Sequence, residues 1–167
     1  MPAKQKTLED LFLIGLKDIY HAEKSTVRSL RKMAKAAQSD RLREAFETHR
    51  TETDGQVQRL EQVFELLGKR AQGKPCEAIQ GIIAEGEEIM EDFAGSDALD
   101  AGLLASAQAV EHYEITRYGT LKSWATQLGL NDAARLLEET LQEEKKTDQL
   151  LTEIAEADLN ERARRSA

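Results

Sequence analysis

The sequence has few of the residues that cross-link a chain or interrupt its helices. Its single cysteine, Cys76, excludes an internal disulfide and therefore a secreted scaffold held by disulfides. Its two prolines leave long stretches uninterrupted, and the abundance of Ala, Leu, Glu, Lys and Gln favours helix in them. Apolar runs of membrane-spanning length are missing, and residues 1–12 hold no apolar signal region. We therefore expect a helical, cytoplasmic protein.

Positive charge is scarce as well. The chain has 23 Lys and Arg residues against 31 Asp and Glu residues, which gives a net charge of −8. Because phosphate binding needs a basic face, we do not expect a nucleic-acid partner. The short basic tail at about 161–167, which we expect to fray, does not change that expectation. The length and the 40% hydrophobic content suffice for a single domain over 1–167 with a sizeable core.

Hydrophobic residues recur at helical spacing along four long segments and one short one. The predicted long helices cover about 7–37, 40–67, 97–128 and 132–160, and the predicted short helix covers about 76–93. Short connections make each consecutive pair of long helices an antiparallel hairpin. The long crossover that contains the short helix makes the second and third long helices parallel. The pattern therefore predicts an all-α, ferritin-like four-helix bundle.

Each long helix carries polar side chains of metal-ligating type near its middle, where the pattern calls for apolar ones. They are Glu23 on the first helix, His49 and Glu52 on the second, Glu111 and Glu114 on the third, and Glu144 and Asp148 on the fourth. In a bundle the four midpoints face one another, so six carboxylates and one imidazole would meet inside the core. Their mutual repulsion at low dielectric would be severe. Two divalent transition-metal ions per chain would remove it, and oxygen ligands with an imidazole suit iron or manganese.

A structural explanation competes with ligation for each of these residues. An isolated Glu on an acidic helix is usually solvated, but four helices that carry the same substitution at matching depth favour the metal. Glu143 competes with Glu144, because the register of the last helix is open. Tyr20 and Tyr118 lie one turn from predicted ligands, and each is either a hydrogen-bond donor to a ligand or an ordinary core residue. His112 is expected outside the ligand set.

Four sequence segments are distinctive when taken together: 18–24 (DIYHAEK), 49–65 (HRTETDGQVQRLEQVFE), 110–121 (VEHYEITRYGTL) and 136–148 (LLEETLQEEKKTD). They resemble the YciF-type ferritin-like bacterial stress proteins, and the similarity extends over essentially the whole chain. The resemblance implies a four-helix ferritin-like bundle, a dimetal carboxylate centre and a stress-linked role. It also implies a homodimer and not a hollow shell.

The predicted ligand set departs from the usual di-iron pattern, which has a Glu on two helices and Glu-x-x-His on two others. The second helix carries the reverse order, His49 before Glu52, and the fourth offers Glu144 with Asp148 and no histidine. One nitrogen ligand in place of two makes the site harder and more anionic. That change favours the oxidised metal and keeps manganese as a candidate beside iron.

Three functions fit these residues. The first is a dimetal protein that consumes peroxide or dioxygen, as a peroxidase-like or catalase-like oxidoreductase. The second is metal sequestration without turnover, and the third is a structural or partner-binding bundle. The sequence singles out no catalytic residue beyond the predicted ligands.

The first helix has more apolar surface than one core stripe needs. Phe12, Leu13, Ile14 and Leu16 follow one another closely and point to more than one side of the helix. Exposed apolar patches of this kind usually mark interfaces, so the sequence predicts a homodimer.

Overall fold

The structure, a computed structural model, describes residues 5–165 and contains helices but no strand in that range. The helices are α1 (Leu8–Ala36), α2 (Asp40–Leu66), α3 (Glu77–Asp92), α4 (Leu99–Gln127), α5 (Asn131–Ile154) and α6 (Asn160–Arg165). One turn of π-helix, Ala155–Leu159, joins α5 to α6. The predicted all-α class is confirmed. None of the helices within residues 5–165 has the length and apolarity needed to cross a membrane.

The four long helices form a bundle in which each packs beside two others. Helix α1 lies beside α2 and α4, and α5 also lies beside α2 and α4. Contacts between α1 and α4 run in opposite chain directions, from Thr26 with Glu114 to Gln38 with Asp100. Both hairpins and the α1–α4 pair are therefore antiparallel, which makes α2 and α4 parallel. This is the ferritin-like arrangement that the long crossover predicted, and the crossover helix α3 packs across α4 and α1.

The interior consists of two apolar clusters with a polar layer between them. The first cluster includes Phe12, Leu16, Phe64, Leu121 and Leu137, and the second includes Leu30, Phe46, Leu103 and Leu151. The polar layer consists of Glu23, Thr26, His49, Thr53, Gln56, Glu111, Glu114, Thr140, Glu144 and Thr147, all of them buried. The apolar clusters close the bundle above and below the layer.

The apolar run on α1 is used differently from the prediction. Phe12 and Leu16 are 1% and 0% exposed and pack into the chain's own core. Leu13 and Ile14 are half-buried, and Leu11 beside them is 47% exposed. The apolar surface left on the outside is smaller than expected, and the homodimer stays a prediction.

The C-terminal residues continue the helical path. The predicted last helix at 132–160 is interrupted by the π-turn, and α6 then extends to Arg165. The fraying of the basic tail stays a prediction, and residues 166 and 167 lie outside the described residues. The single-domain assignment over 1–167 stays a prediction in the same sense.

Asp100, in the first turn of α4, binds the connection between α1 and α2. Its buried carboxylate accepts the backbone N–H groups of Gln38 at 2.8 Å and Ser39 at 2.7 Å, where α1 turns into α2. Both donors precede the first turn of α2, so this carboxylate satisfies backbone groups that the helix itself cannot. Ser39 in turn caps α2 by accepting the backbone N–H of Leu42.

We predict that Asp100→Ala destabilises the fold, because it removes the buried carboxylate that accepts the backbone N–H groups of Gln38 and Ser39. The expected loss is about 2–4 kcal/mol of unfolding free energy, which lowers Tm by roughly 5–15 °C for a chain of this size. Thermal unfolding followed by circular dichroism checks it. Asp92→Ala, at an exposed position of α3, is the control and should change Tm little. Equal melting of the two variants would contradict the assignment.

Candidate metal centre

One histidine and three glutamates meet in the polar layer. His49 comes from α2, Glu111 and Glu114 come from α4, and Glu144 comes from α5. One potential ligand atom from each lies within 4.8 Å of all the others. The three glutamates are fully buried, and His49 is 3% exposed. Each residue lies near the midpoint of its helix, as the interrupted apolar pattern predicted.

The imidazole of His49 spans the distance from the centre to the outer seam between α2 and α5. Its Nε2 lies 2.9 Å from Oε1 of Glu111 and 3.8 Å from Oε2 of Glu144. Its Nδ1 faces the other way and lies 3.4 Å from Oγ1 of Thr147 and 3.7 Å from Oε2 of Glu52. The Nε2 atom is therefore the nitrogen available to a metal in the centre. The hydroxyl of Thr147 holds the orientation of the ring from outside, as partners of ligating histidines commonly do.

Glu23 lies against the same cluster but already has one hydrogen bond. It is fully buried on α1, and the Tyr118 hydroxyl donates a short hydrogen bond to its Oε1. One turn further along α1, Thr26 donates to Oε1 of Glu114 at 3.1 Å. The structure thus distinguishes the two tyrosines that the sequence left undecided. Tyr118 supports a centre carboxylate, whereas Tyr20 donates to Glu61 at the bundle exterior at 2.9 Å.

Two predicted ligands lie apart from the four-residue cluster. The side chain of Glu52 is 35% exposed and touches the cluster through Nδ1 of His49. The side chain of Asp148 is 24% exposed, and its Oδ1 lies 3.1 Å from both Nε2 of His112 and Nε2 of Gln108. His112 is 70% exposed, in agreement with its expected place outside the ligand set. Neither carboxylate is brought into the centre.

The choice between Glu143 and Glu144 is resolved by the register of α5. Glu144 is fully buried in the centre, whereas Glu143 lies at the α2–α5 seam and pairs with Arg59. The pair is bidentate, with N–O distances of 2.8 and 2.9 Å. Arg59 also donates to Thr140 at 2.7 Å, and Gln56 donates to Glu143 at 3.1 Å.

Sequence reasoning missed the network around Arg59. The spacing in the sequence could have indicated this network, since Arg59 lies about one turn after the buried Gln56 on α2. The partner of Arg59 could not be predicted from the sequence, because it depends on how α5 is rotated about its axis. Thr26 was missed too, although it follows Glu23 at the i+3 spacing that brings two side chains to neighbouring positions on one helix face.

Burial dominates the acid–base chemistry of the centre. It raises the pKa of Glu23 to about 8, even though the hydrogen bond from Tyr118 opposes the shift. Burial and the neighbouring carboxylates also hold the pKa of Glu114 and of Glu144 well above the usual range. For His49, burial alone would lower the pKa, but the charge and hydrogen bonding of Glu111, together with Glu52 and Glu114, outweigh burial and hold the pKa well above normal. Without a cation, the centre favours bound protons.

The outer carboxylate behaves differently. The hydrogen-bonding contact with His49 lowers the pKa of Glu52, in spite of its partial burial. Glu52 is therefore ionised at neutral pH, whereas Glu23, Glu114 and Glu144 take up protons when no cation compensates their charge.

The residues fit a bound metal. Buried atoms without a hydrogen-bond partner include Oε2 of Glu111, both carboxylate oxygens of Glu144, Oε2 of Glu114 and Oε2 of Glu23. Buried polar groups are rarely left in this state, so these atoms mark a place for a positive ligand. Metal–ligand bonds of about 2.0–2.2 Å put the ligands of one ion within roughly 4.4 Å of each other. The cluster, at 4.8 Å or less, reaches that spacing with sub-ångström movements.

Comparison with known proteins places the chain in a family. The domain family described as a domain of unknown function, DUF892, matches residues 7–164. The chain belongs to the DUF892 family. It is 45% identical over 163 residues to protein YciF of Escherichia coli, a match that covers 97% of this chain and 98% of that protein. The resemblance to YciF-type proteins is thereby confirmed.

Solved structures of DUF892-like proteins have the same fold. The crystal structure of the E. coli stress protein YciF matches with a TM-score of 0.89 at 45% identity, over 93% of this chain and 99% of that one. YcfI from Rhodopseudomonas palustris, proposed to be a structural protein, matches with a TM-score of 0.87 at 44% identity, over 91% and 97% of the two chains. A Xanthomonas campestris protein at 23% identity, with a TM-score of 0.69, shares the fold.

We predict that metal-free protein loses stability as the pH rises from about 4.5 to about 8. The buried carboxyls have a folded-state pKa above their usual value near 4.5, so in this range the folded state binds more protons than the unfolded chain. The raised pKa of His49 acts in the same direction. One pKa unit is about 1.4 kcal/mol and 1 kcal/mol moves Tm by about 2–4 °C, so Tm should fall by roughly 5 °C or more.

Thermal melts at pH 5.5 and pH 8 after chelation measure this effect. Metal-saturated protein is the control, and its Tm should depend much less on pH, because bound cations replace the protons. A metal-free Tm that is equal at the two pH values would contradict the assigned electrostatics.

Proposed function

We propose that this protein holds two transition-metal ions per chain, iron or manganese, and uses them to react with peroxide or dioxygen under stress. The observation that carries the proposal is the set of buried carboxylate oxygens that have no hydrogen-bond partner among residues 5–165. Glu23, Glu111, Glu114 and Glu144 would bear four negative charges when ionised. No Lys or Arg side chain of the described residues is buried in the layer, and Arg59 reaches its edge through Thr140. Two divalent ions supply four positive charges.

Side chains from all four long helices would hold such a pair of metal ions. Glu111, Glu114 and Glu144 offer oxygen atoms from two neighbouring helices, and His49 offers Nε2 from the helix that faces them. Glu23 offers its Oε2 from α1, while the hydrogen bond from Tyr118 restrains its Oε1. Four oxygen-donating side chains and one imidazole suit iron and manganese.

The surroundings suit chemistry on a small oxidant. A pair of redox-active ions would supply the electrons that reduce a peroxide or dioxygen. The two apolar clusters exclude bulk water from both ends of the layer, which strengthens the electrostatic interactions within it. The Tyr118 hydroxyl carries a proton directly beside Glu23, and its pKa is raised by burial and by the Glu23 charge, so it stays protonated. The stress role follows from similarity to the E. coli stress protein YciF.

A second candidate is a bundle that binds metal without turnover, or that serves as a structural partner for other proteins. The description of R. palustris YcfI as a proposed structural protein favours it. In that case the carboxylate layer either sequesters metal or stays protonated. Metal content separates the structural role from the other two, and peroxide consumption separates turnover from sequestration.

We predict that protein reconstituted with Fe²⁺ or Mn²⁺ retains about two ions per chain after desalting, as measured by elemental analysis. Glu111→Gln should retain less metal, and metal-free Glu111→Gln should melt lower than metal-free wild type, because it removes the charge that pairs with the buried imidazole of His49. Glu44→Gln, at an exposed position of α2, is the matched control and should change neither quantity. Absence of stoichiometric iron, manganese or zinc would sink the metal proposal.

We predict that the metal-loaded protein consumes hydrogen peroxide and that metal-free protein does not. An oxygen electrode and a colorimetric peroxide assay would follow the reaction, with free metal ions at the same concentration as the background. Glu44→Gln should retain the full rate, and Glu144→Gln should lose most of it together with bound metal. If the loaded wild type is no faster than free ions, metal sequestration becomes the better description.

A further inference from the structure

The centre is closed on most sides, so a cation needs a path through one of the seams between helices. The crossover helix α3 covers the seam between α1 and α4. Inside that seam the hydrogen bonds from Tyr118 to Glu23 and from Thr26 to Glu114 occupy the space between the two helices. The apolar clusters close both ends of the bundle.

The seam between α4 and α5 is closed by polar contacts. The amide of Gln108 donates to Oδ1 of Asp148 at 3.1 Å and to Thr152 at 2.8 Å. His112 lies 3.1 Å from the same Asp148 oxygen. The half-exposed carboxylate of this seam is thus engaged by its neighbours, and its partners lie outside the buried cluster.

The seam between α2 and α5 offers a polar path to the centre. In one part of it, both oxygens of Glu143 are engaged by Arg59, and the guanidinium would repel an approaching cation. About two turns away along α2 lies Glu52, whose side chain is 35% exposed and whose Oε2 is 3.7 Å from Nδ1 of His49. Glu52 therefore reaches both solvent and a member of the cluster. The buried hydroxyl of Thr147 lies beside the same ring nitrogen.

We infer that Glu52 is the carboxylate that receives divalent cations from solvent and delivers them past His49 to the centre, and not a ligand of the bound ions. The inference rests on the proposed metal centre. An anionic side chain at the mouth of a path raises the local concentration of cations and their rate of association. A side chain with one end in solvent can also move between rotamers. The glutamates of the layer are fully buried, and the packing around them restricts that movement.

The positive charge of Lys146 near Glu52 provides an independent test of this inference. Lys146, exposed on α5, lies close enough to act on Glu52 electrostatically. A neighbouring positive charge opposes the approach of a cation, so removing it should accelerate uptake. A purely structural role of Glu52, or a role in orienting the His49 ring, would not respond to Lys146 in this way.

The test compares the rate and the extent of Co²⁺ uptake by the metal-free full-length protein. Stopped-flow visible absorbance of bound Co²⁺ gives the rate, and elemental analysis after desalting gives the number of ions bound at equilibrium. The variants are Glu52→Gln and Lys146→Gln, with Asp54→Asn as the control, since Asp54 is a 53%-exposed carboxylate on the same helix.

We expect Glu52→Gln to slow uptake by about tenfold or more, the size of effect that a charged mouth confers, with the same number of ions bound as wild type. Lys146→Gln should accelerate uptake, and Asp54→Asn should match wild type. A lower number of ions in Glu52→Gln would make Glu52 a ligand and overturn the inference. An unchanged uptake rate would also overturn it, whether or not the ions are held less tightly. If wild type itself binds no Co²⁺, the proposed metal centre fails as well, and the two failures are thereby distinguished.

Discussion

The burial of four carboxylates and an imidazole in one layer is the constraint on which the rest of the structure depends. Desolvation and mutual repulsion destabilise this layer, and no lysine or arginine of the described residues is buried in it, although Arg59 reaches its edge through Thr140. Two apolar clusters, one on each side, supply the hydrophobic burial that holds the layer closed. Tyr118 and Thr26 satisfy one oxygen each on Glu23 and Glu114, and the raised pKa values show that protons supply the remaining compensation when no cation does.

The acidic residues just outside the layer have partners of their own within the protein. Glu143 is neutralised by a bidentate arginine, and Asp148 accepts from an amide and faces a histidine. Both are partly exposed. Glu111 and Glu144, in contrast, are fully buried. Oε1 of Glu111 lies 2.9 Å from Nε2 of His49, whereas Oε2 of Glu111 and both oxygens of Glu144 have no hydrogen-bond partner. A protein that pairs its peripheral acids and leaves most oxygens of its central ones unpaired has the arrangement expected of a ligand set.

Two pairs of polar residues at the same i, i+3 spacing differ in burial. Residues three apart differ by about 60° around a helix. On α4 both Glu111 and Glu114 are fully buried, and Glu114 accepts a hydrogen bond from Thr26 of α1. On α2 the same rotation from His49 brings Glu52 to the edge of the α2–α5 seam, where its side chain is 35% exposed. One carboxylate thereby gains access to solvent.

The sequence by itself determined the helices, the crossover and the depth at which the polar residues lie, because all of these follow from local spacing, breaks in the apolar pattern and connection length. It therefore predicted the bundle and identified His49, Glu111, Glu114 and Glu144 as neighbours. The tertiary structure decided what depends on helix rotation: that Glu144 and not Glu143 faces inward, that Asp148 turns to Gln108, and that Tyr118 meets Glu23. Rotation about a helix axis is set by packing against neighbouring helices, and a few tens of degrees exchange a buried position for an exposed one. A periodic pattern read along a single helix cannot resolve a difference of that size.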